Sequence, residues 1–358
     1  MAAPMRKTRV LIIDDSAIVR RMLSNALQDE PDIEVVGLAT DPFVARDLIL
    51  LHKPDVLTLD IEMSRMDGLT FLRQLMAHRP LPVIIVSSVT QEGSAASFEA
   101  LAAGAVDVIA KPGGPYSVGD IAEKLKYRIR SVRHARSVRF ARMRAQLGPL
   151  PPPTSLAQAS GLILMGASTG GTRAIETLLT RLPADTPPVL IVQHMPPHFT
   201  RVFAQRLDSV CSMNVVEADD GQRLKRGTAY IARGDFHLQV VSQAGVLQTA
   251  LHDGPAIHYQ RPAVDALFGS AAQLQGVRIV ALLLTGMGSD GAAGMVALRQ
   301  AGAVTIAESE HSCVVFGMPA EAIARGGATH VATLLSMPDL IGEAFKKRPA
   351  VRAATRTA

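Results

Sequence analysis

Short apolar runs that close on a polar side chain recur along this chain, and they constrain its fold more than any other feature. In the first third, residues 9–13 lead to Asp14, Asp15 and Ser16, residues 55–59 to Asp60, residues 82–86 to Ser87 and Ser88, and residues 106–110 to Lys111. Residues 33–38 form a further run of this kind. Stretches with helical spacing separate them, such as 17–27 and 42–51. Apolar runs of this length suit strands buried on both faces. Their regular alternation with helical stretches predicts a mostly parallel sheet with helices on both faces.

The second half repeats the pattern. Residues 162–165 run into Gly166, Ala167, Ser168, Thr169 and Gly170, with a helix-compatible stretch at 172–182. Residues 189–193 end at His194, and residues 280–284 end at a turn that carries Met287 and Asp290. The glycine-flanked Ser168 reads as a strand-to-helix turn, which lifts one small side chain above the sheet and points free N–H groups of the helix start at a ligand. G-x-S-x-G alone also suits close packing or a phosphate cradle. Ser168, His194 and Asp290 together mean more, because the carboxyl ends of parallel strands lie on one edge. Their order along the chain, Ser then His then Asp, is not that of the α/β-hydrolases.

In the first half the strand ends carry Asp14, Asp15, Asp60, Ser87 and Lys111. Any one of these aspartates would make an ordinary helix N-cap. Three together repel one another unless a hard cation sits among them, and Mg²⁺ with oxygen ligands fits. A carboxylate beside Mg²⁺ and a lysine can accept a phosphoryl group. This half resembles the receiver domain of two-component response regulators over residues 8–130. The resemblance implies Asp60 as phospho-acceptor, and Asp14, Asp15, Asp60 and the Glu62 carbonyl as metal ligands. It also implies Ser87 as hydroxyl switch and Lys111 as phosphate-binding lysine. Ser64 stands where the family usually has proline.

With 358 residues, more than one domain is expected. The boundary shows in composition. Residues 124–144 hold nine Lys or Arg and no acid, so a formal net charge of +5 becomes −4 without them. Four prolines within residues 149–153 then bar a helix. The expected division is a receiver domain at 8–130, a basic then Pro-rich linker at 131–157, and a catalytic domain at 158–348. Two cysteines, no signal-like N-terminus and no long apolar run lead to the expectation of a cytoplasmic protein that is not embedded in a membrane.

Four motifs of the second half, around Ser168, His194, Asp290 and residues 312–319, together with the receiver and the basic linker, resemble the protein-glutamate methylesterases of chemotaxis, the CheB family. The resemblance covers nearly the whole chain. It implies Ser168 as nucleophile, His194 as base, Asp290 as its orienter and the Met287 N–H in the oxyanion hole. It further implies methyl-accepting chemoreceptors as substrate, a chemotaxis histidine kinase as phosphodonor, glutamine deamidation as a second activity, no cofactor in the catalytic domain, and a receiver that covers the catalytic cleft until phosphorylated. The chain departs from the family at Gln260 and Ala263, where His and Ser are usual, and His258 lies two residues before Gln260. His237, His252 and His330 have no partner visible in sequence. The basic stretch leaves a nucleic-acid-binding output as the alternative, opposed by the lack of a helix-turn-helix pattern after residue 150. A nucleotide-binding oxidoreductase is disfavoured, because residues 166–171 do not have the G-x-G-x-x-G spacing.

Overall fold

The protein is described from a computed structural model that covers residues 6–87, 91–111, 118–132 and 155–346. Most of the stretch read as linker, and the tail after residue 346, lie outside the described residues.

The first domain is a five-stranded parallel sheet, β1 (Thr8–Ile13), β2 (Ile33–Ala39), β3 (Val56–Leu59), β4 (Val83–Ser87) and β5 (Asp107–Ala110), in the order β2-β1-β3-β4-β5. Helices α1 (Ala17–Leu27), α2 (Pro42–His52), α3 (Gly68–His78), α4 (Gln91–Ala103) and α5 (Val118–Val132) connect and cover it. Local chemistry starts three of them. The Ser16 hydroxyl, the Asp41 carboxylate and the Asp67 carboxylate accept from the first free N–H groups of α1, α2 and α3. The last helix runs two residues past the expected end of the domain, and Ser131 and Val132 are buried.

The second domain is a seven-stranded parallel sheet. In chain order its strands are β6 (Leu162–Ala167), β7 (Val189–Gln193), β8 (Asn214–Glu217), β9 (Thr228–Ile231), β12 (Ile279–Leu283), β13 (Val304–Glu308) and β14 (His330–Ala332). They lie in the order β14-β13-β12-β6-β7-β9-β8. An antiparallel hairpin, β10 (His237–Gln243) with β11 (Val246–His252), packs beside it. The helices are α6 (Gly171–Leu179), α7 (Phe199–Val210), α8 (Val264–Ala272), α9 (Ala292–Gln300), α10 (Met318–Ala324) and α11 (Met337–Lys346). Leu156 and Ala159 already pack in this domain's core, so its packing begins just before the expected residue 158.

Every residue of β6, β7 and β12 is buried, as expected of central strands covered on both faces. The strand order reverses between β6 and β12, where a parallel sheet opens a crevice at its carboxyl edge. Ser168 follows β6, His194 follows β7, and Thr285 to Asp290 follow β12. The first sheet makes the same reversal between β1 and β3, beside Asp14, Asp15 and Asp60. Among the described residues no helix is long and apolar enough to cross a membrane.

Candidate functional site

The crevice of the second domain gathers Ser168, His194 and Asp290. The His194 Nε2 lies 2.7 Å from Asp290 Oδ2. Asp290 is also held by backbone: Oδ2 accepts from Val264 N at 2.7 Å and Oδ1 from Asp265 N at 2.8 Å. These are free N–H groups at the start of α8, whose N-cap position is Ala263, with no side chain able to cap. A carboxylate from another part of the chain therefore caps this helix. Burial by itself would raise the Asp290 pKa, but the His194 contact and the two N–H donors keep it below the usual carboxylate value. The departure at Ala263 thus leaves the α8 start to Asp290. His258 Nε2 sits 3.2 Å from Asp265 Oδ2, one residue further along the same helix start.

Ser168 is placed by a tight turn. Gly170 adopts φ +79°, and a Cβ there would lie 2.4 Å from the Val314 side chain, so only glycine fits. Thr285 ties this turn to the next strand end: its carbonyl accepts from Ser168 N at 3.0 Å and its hydroxyl donates to Thr169 O at 2.9 Å. Met287, in the same turn, makes no hydrogen bond through its N–H among the described residues.

The Ser168 hydroxyl is not spent on His194. It accepts from Arg128 Nη1 at 2.9 Å, and the same nitrogen donates to Thr169 Oγ1 at 2.9 Å. The other terminal nitrogen points to His194 O at 3.4 Å. His194 Nδ1 is buried with no hydrogen-bond partner among the described residues. Arg128 belongs to α5 of the first domain, where it also pairs with Asp107 on β5 at 3.0 Å. Next to it on α5, the Tyr127 hydroxyl donates to Met287 O at 2.6 Å, and about one turn on, Ser131 Oγ contacts Met287 Sδ at 2.8 Å. Phe98 of α4 stacks on Phe203 of α7, with ring centroids 5.5 Å apart.

The first domain is therefore closed over the crevice. Ser168, His194 and Asp290 are each no more than 3% exposed. The remaining gap beside Ser168 and His194 is a cavity of about 10 Å³, lined on one side by Phe98, Leu101 and Asp107. That is about the room one water needs and far below that of a peptide side chain.

Arg128 and its neighbours were not singled out in the sequence, where they merge into a basic run that begins in the last receiver helix and continues into the linker. A signal was there. Residue 128 stands three after Leu125 and four before Val132, on the buried side of α5, where an unpaired arginine is out of place. The neighbouring cations of that run are paired as well. Lys126 Nζ lies 2.8 Å from Glu30, and Arg130 lies 2.7 Å from Asp32. The residues from 133 onward lie outside the described residues.

The crevice of the first domain gathers its predicted residues too. Lys111 Nζ lies 2.5 Å from Asp60 Oδ2 and 3.4 Å from Asp14 Oδ2. Glu62 N donates to Asp60 Oδ1 at 3.2 Å, and Ser64 N to Asp15 Oδ2 at 3.2 Å. Ser87 ends β4, buried at the same edge. Burial pushes Asp60 up to about 6 against the pull of Lys111, and it raises Asp14 as well. Ligand atoms of Asp14, Asp15 and Asp60 lie within 4.8 Å of one another. Asp14 Oδ2 is buried without a hydrogen bond among the described residues. Three clustered carboxylates against the one Lys111 ammonium leave negative charge in excess, which fits a hard divalent cation among them.

The chain is similar to known proteins over both domains. A family model for the CheB methylesterase matches residues 163–341, and one for the response regulator receiver domain matches residues 10–123. A protein-glutamate methylesterase/protein-glutamine glutaminase 2 of Syntrophus aciditrophicus is 50% identical over 339 residues, 94% of this chain and 99% of that one. A protein-glutamate methylesterase/protein-glutamine glutaminase of Escherichia coli K12 is 49% identical over 335 residues, 92% of this chain and 95% of that one. Among solved structures, the CheB methylesterase catalytic domain of Thermotoga maritima is 40% identical with a TM-score of 0.50, and the match covers 52% of this chain and 98% of that one.

Proposed function

The chain belongs to the CheB methylesterase family and is a phosphorylation-regulated protein-glutamate methylesterase and glutaminase, and we propose that it works through Ser168, His194 and Asp290 under a receiver that blocks them until Asp60 is phosphorylated. The observation that carries this reading is the Arg128 guanidinium of the receiver helix seated on the Ser168 hydroxyl.

With Arg128 withdrawn, His194 Nδ1 is the ring nitrogen left to take the Ser168 proton, because Nε2 is committed to Asp290. Ser168 Oγ attacks the γ-carbonyl of a receptor glutamate methyl ester, and Nδ1 returns the proton to the departing methoxide as methanol. Water then attacks the acyl-enzyme by the same route and leaves a glutamate. Asp290, kept ionised by the α8 N–H groups, stabilises the imidazolium in between. Met287 N–H and the helix start after Gly170 are the donors available to the oxyanion. A glutamine side chain reacts likewise and releases ammonia. Asp290→Ala should therefore cost activity and also about 1–2 kcal/mol of stability, since α8 loses the carboxylate that caps it. A variant that is inactive with unchanged thermal unfolding would separate the two roles.

Asp14, Asp15, Asp60 and the Glu62 carbonyl would hold Mg²⁺, which neutralises the oxygens of an incoming phosphoryl group. Asp60 Oδ accepts that group from a histidine kinase, and Lys111 and Ser87 bind its new oxygens. The added charge shifts the receiver surface that faces the catalytic domain. Substrate receptors, kinase and a cytoplasmic location follow from the family reading. The nucleic-acid alternative is not supported: the relatives that match over more than nine-tenths of the chain are methylesterases, and Lys126, Arg128 and Arg130 of the basic run are paired with carboxylates.

The test is methanol release from methylated receptor with and without a small phosphodonor. Wild-type protein should accelerate with the donor, and Asp60→Asn should keep the basal rate and lose the response. A donor response that survives in Asp60→Asn would move the phospho-acceptor elsewhere.

A further inference from the structure

Glu308 is a buried carboxyl that the mechanism above does not use. It ends β13 with no exposed surface. Its Oε2 accepts from Thr285 N at 2.8 Å, while Oε1 has no hydrogen-bond partner among the described residues. Thr285 is the residue whose carbonyl accepts from Ser168 N and whose hydroxyl binds Thr169 O, Val314 N and Val315 N. One residue, Thr285, thus stands between the Glu308 carboxyl and the nucleophile turn.

Resting on the esterase reading, we propose that Glu308 is a positioning residue for Ser168, a neutral acid that holds the Thr285 peptide and whose ionisation slows the reaction. The groups around it support neutrality. Its own loop brings the Ser312 hydroxyl and the Cys313 thiol, the end of β12 brings the Thr285 N–H, and β14 places Ala332 opposite it in the ladder. Glu310 and His311 on the loop are exposed, as is His330 at the start of β14. No cation acts on Glu308 among the described residues. Burial accordingly pushes its pKa from 4.5 up to about 7, against the Thr285 hydrogen bond. An unpaired negative charge there would oppose the oxyanion that forms on the other side of the Thr285 peptide.

The sign follows from that shift. The folded protein holds the Glu308 proton more tightly than the unfolded chain does. Its stabilising contribution is present in acid, declines between pH 4.5 and about 7, and is gone above that. Glu308→Gln keeps an acceptor for Thr285 N–H and cannot ionise. We expect phosphodonor-activated wild-type protein to lose turnover above about pH 7, and Glu308→Gln to hold a plateau to pH 9. Independently of activity, the melting temperature of the variant relative to wild type should rise by several degrees between pH 5 and pH 8. If the two proteins share one alkaline limb, or if the melting difference does not change with pH, the proposal is wrong. The melting series reads the Glu308 titration even if the esterase reading fails.

Discussion

Ser168→Ala is expected to lower methanol release from methylated receptor by about four to six orders of magnitude, because the attacking atom is lost while the rest of the site stays. The fold should tolerate the change. The Ser168 hydroxyl has one hydrogen-bond partner among the described residues, Arg128, and that guanidinium keeps Thr169 and Asp107. The change in melting temperature should stay within a few degrees. Larger replacements are a different matter, since the Gly286 backbone approaches Ser168 Cβ so closely that a Cβ on residue 286 would sit 2.8 Å from it. Phosphorylation of Asp60 provides a check on folding, because the acceptor lies in the other domain. A Ser168→Ala protein that is phosphorylated normally and still releases methanol near the wild-type rate would remove Ser168 from the nucleophile role.

The residues at strand ends were legible in the sequence because a buried parallel strand is a continuous apolar run, and the first polar residue after it stands at the sheet edge. Asp14, Asp60, Lys111, Ser168 and His194 stand at such ends, and Asp290 lies in the turn that follows one. Strands that lack such a run were not legible. β8 and β14 are three or four residues long and carry exposed residues, as edge strands do, so neither periodicity nor composition marks them. Partnerships across long sequence separations were equally silent. Nothing near Asp290 announces that it caps a helix starting at residue 264, and nothing near Arg128 names Ser168, 40 residues on. The basic run around Arg128 does not show which of its cations are buried, because charge is counted along the chain, whereas burial is decided by which face of α5 meets the second domain.

Arg128→Ala is expected to raise the basal activity of unphosphorylated protein by roughly tenfold to a hundredfold. The closed state buries the Arg128–Asp107 pair, with side chains only 10% and 11% exposed. Burying two charges is costly, and Ser168 Oγ, Thr169 Oγ1 and His194 O supply the acceptors that offset it. Without Arg128, closing the domains would bury Asp107 unpaired beside His194. A penalty of about 1.4–2.8 kcal/mol on the closed state corresponds to that rise, and it is smaller than the full cost of an orphaned buried charge because the domains can part instead. The apolar contacts of Phe98 with Phe203, and of Val314 and Val315 with the receiver core, remain and keep the shift finite. Phosphodonor should still activate the variant, by a smaller factor, towards the same ceiling. The paired replacement Arg128→Met with Asp107→Leu tells how the latch works. If unpaired charge is what opens Arg128→Ala, the apolar pair should close the protein again and return the basal rate towards wild type. If both variants are equally active without phosphodonor, the hydrogen bond to Ser168 itself holds the gate. An Arg128→Ala protein with the wild-type basal rate and an intact phosphodonor response would show that the apolar interface alone keeps the receiver in place.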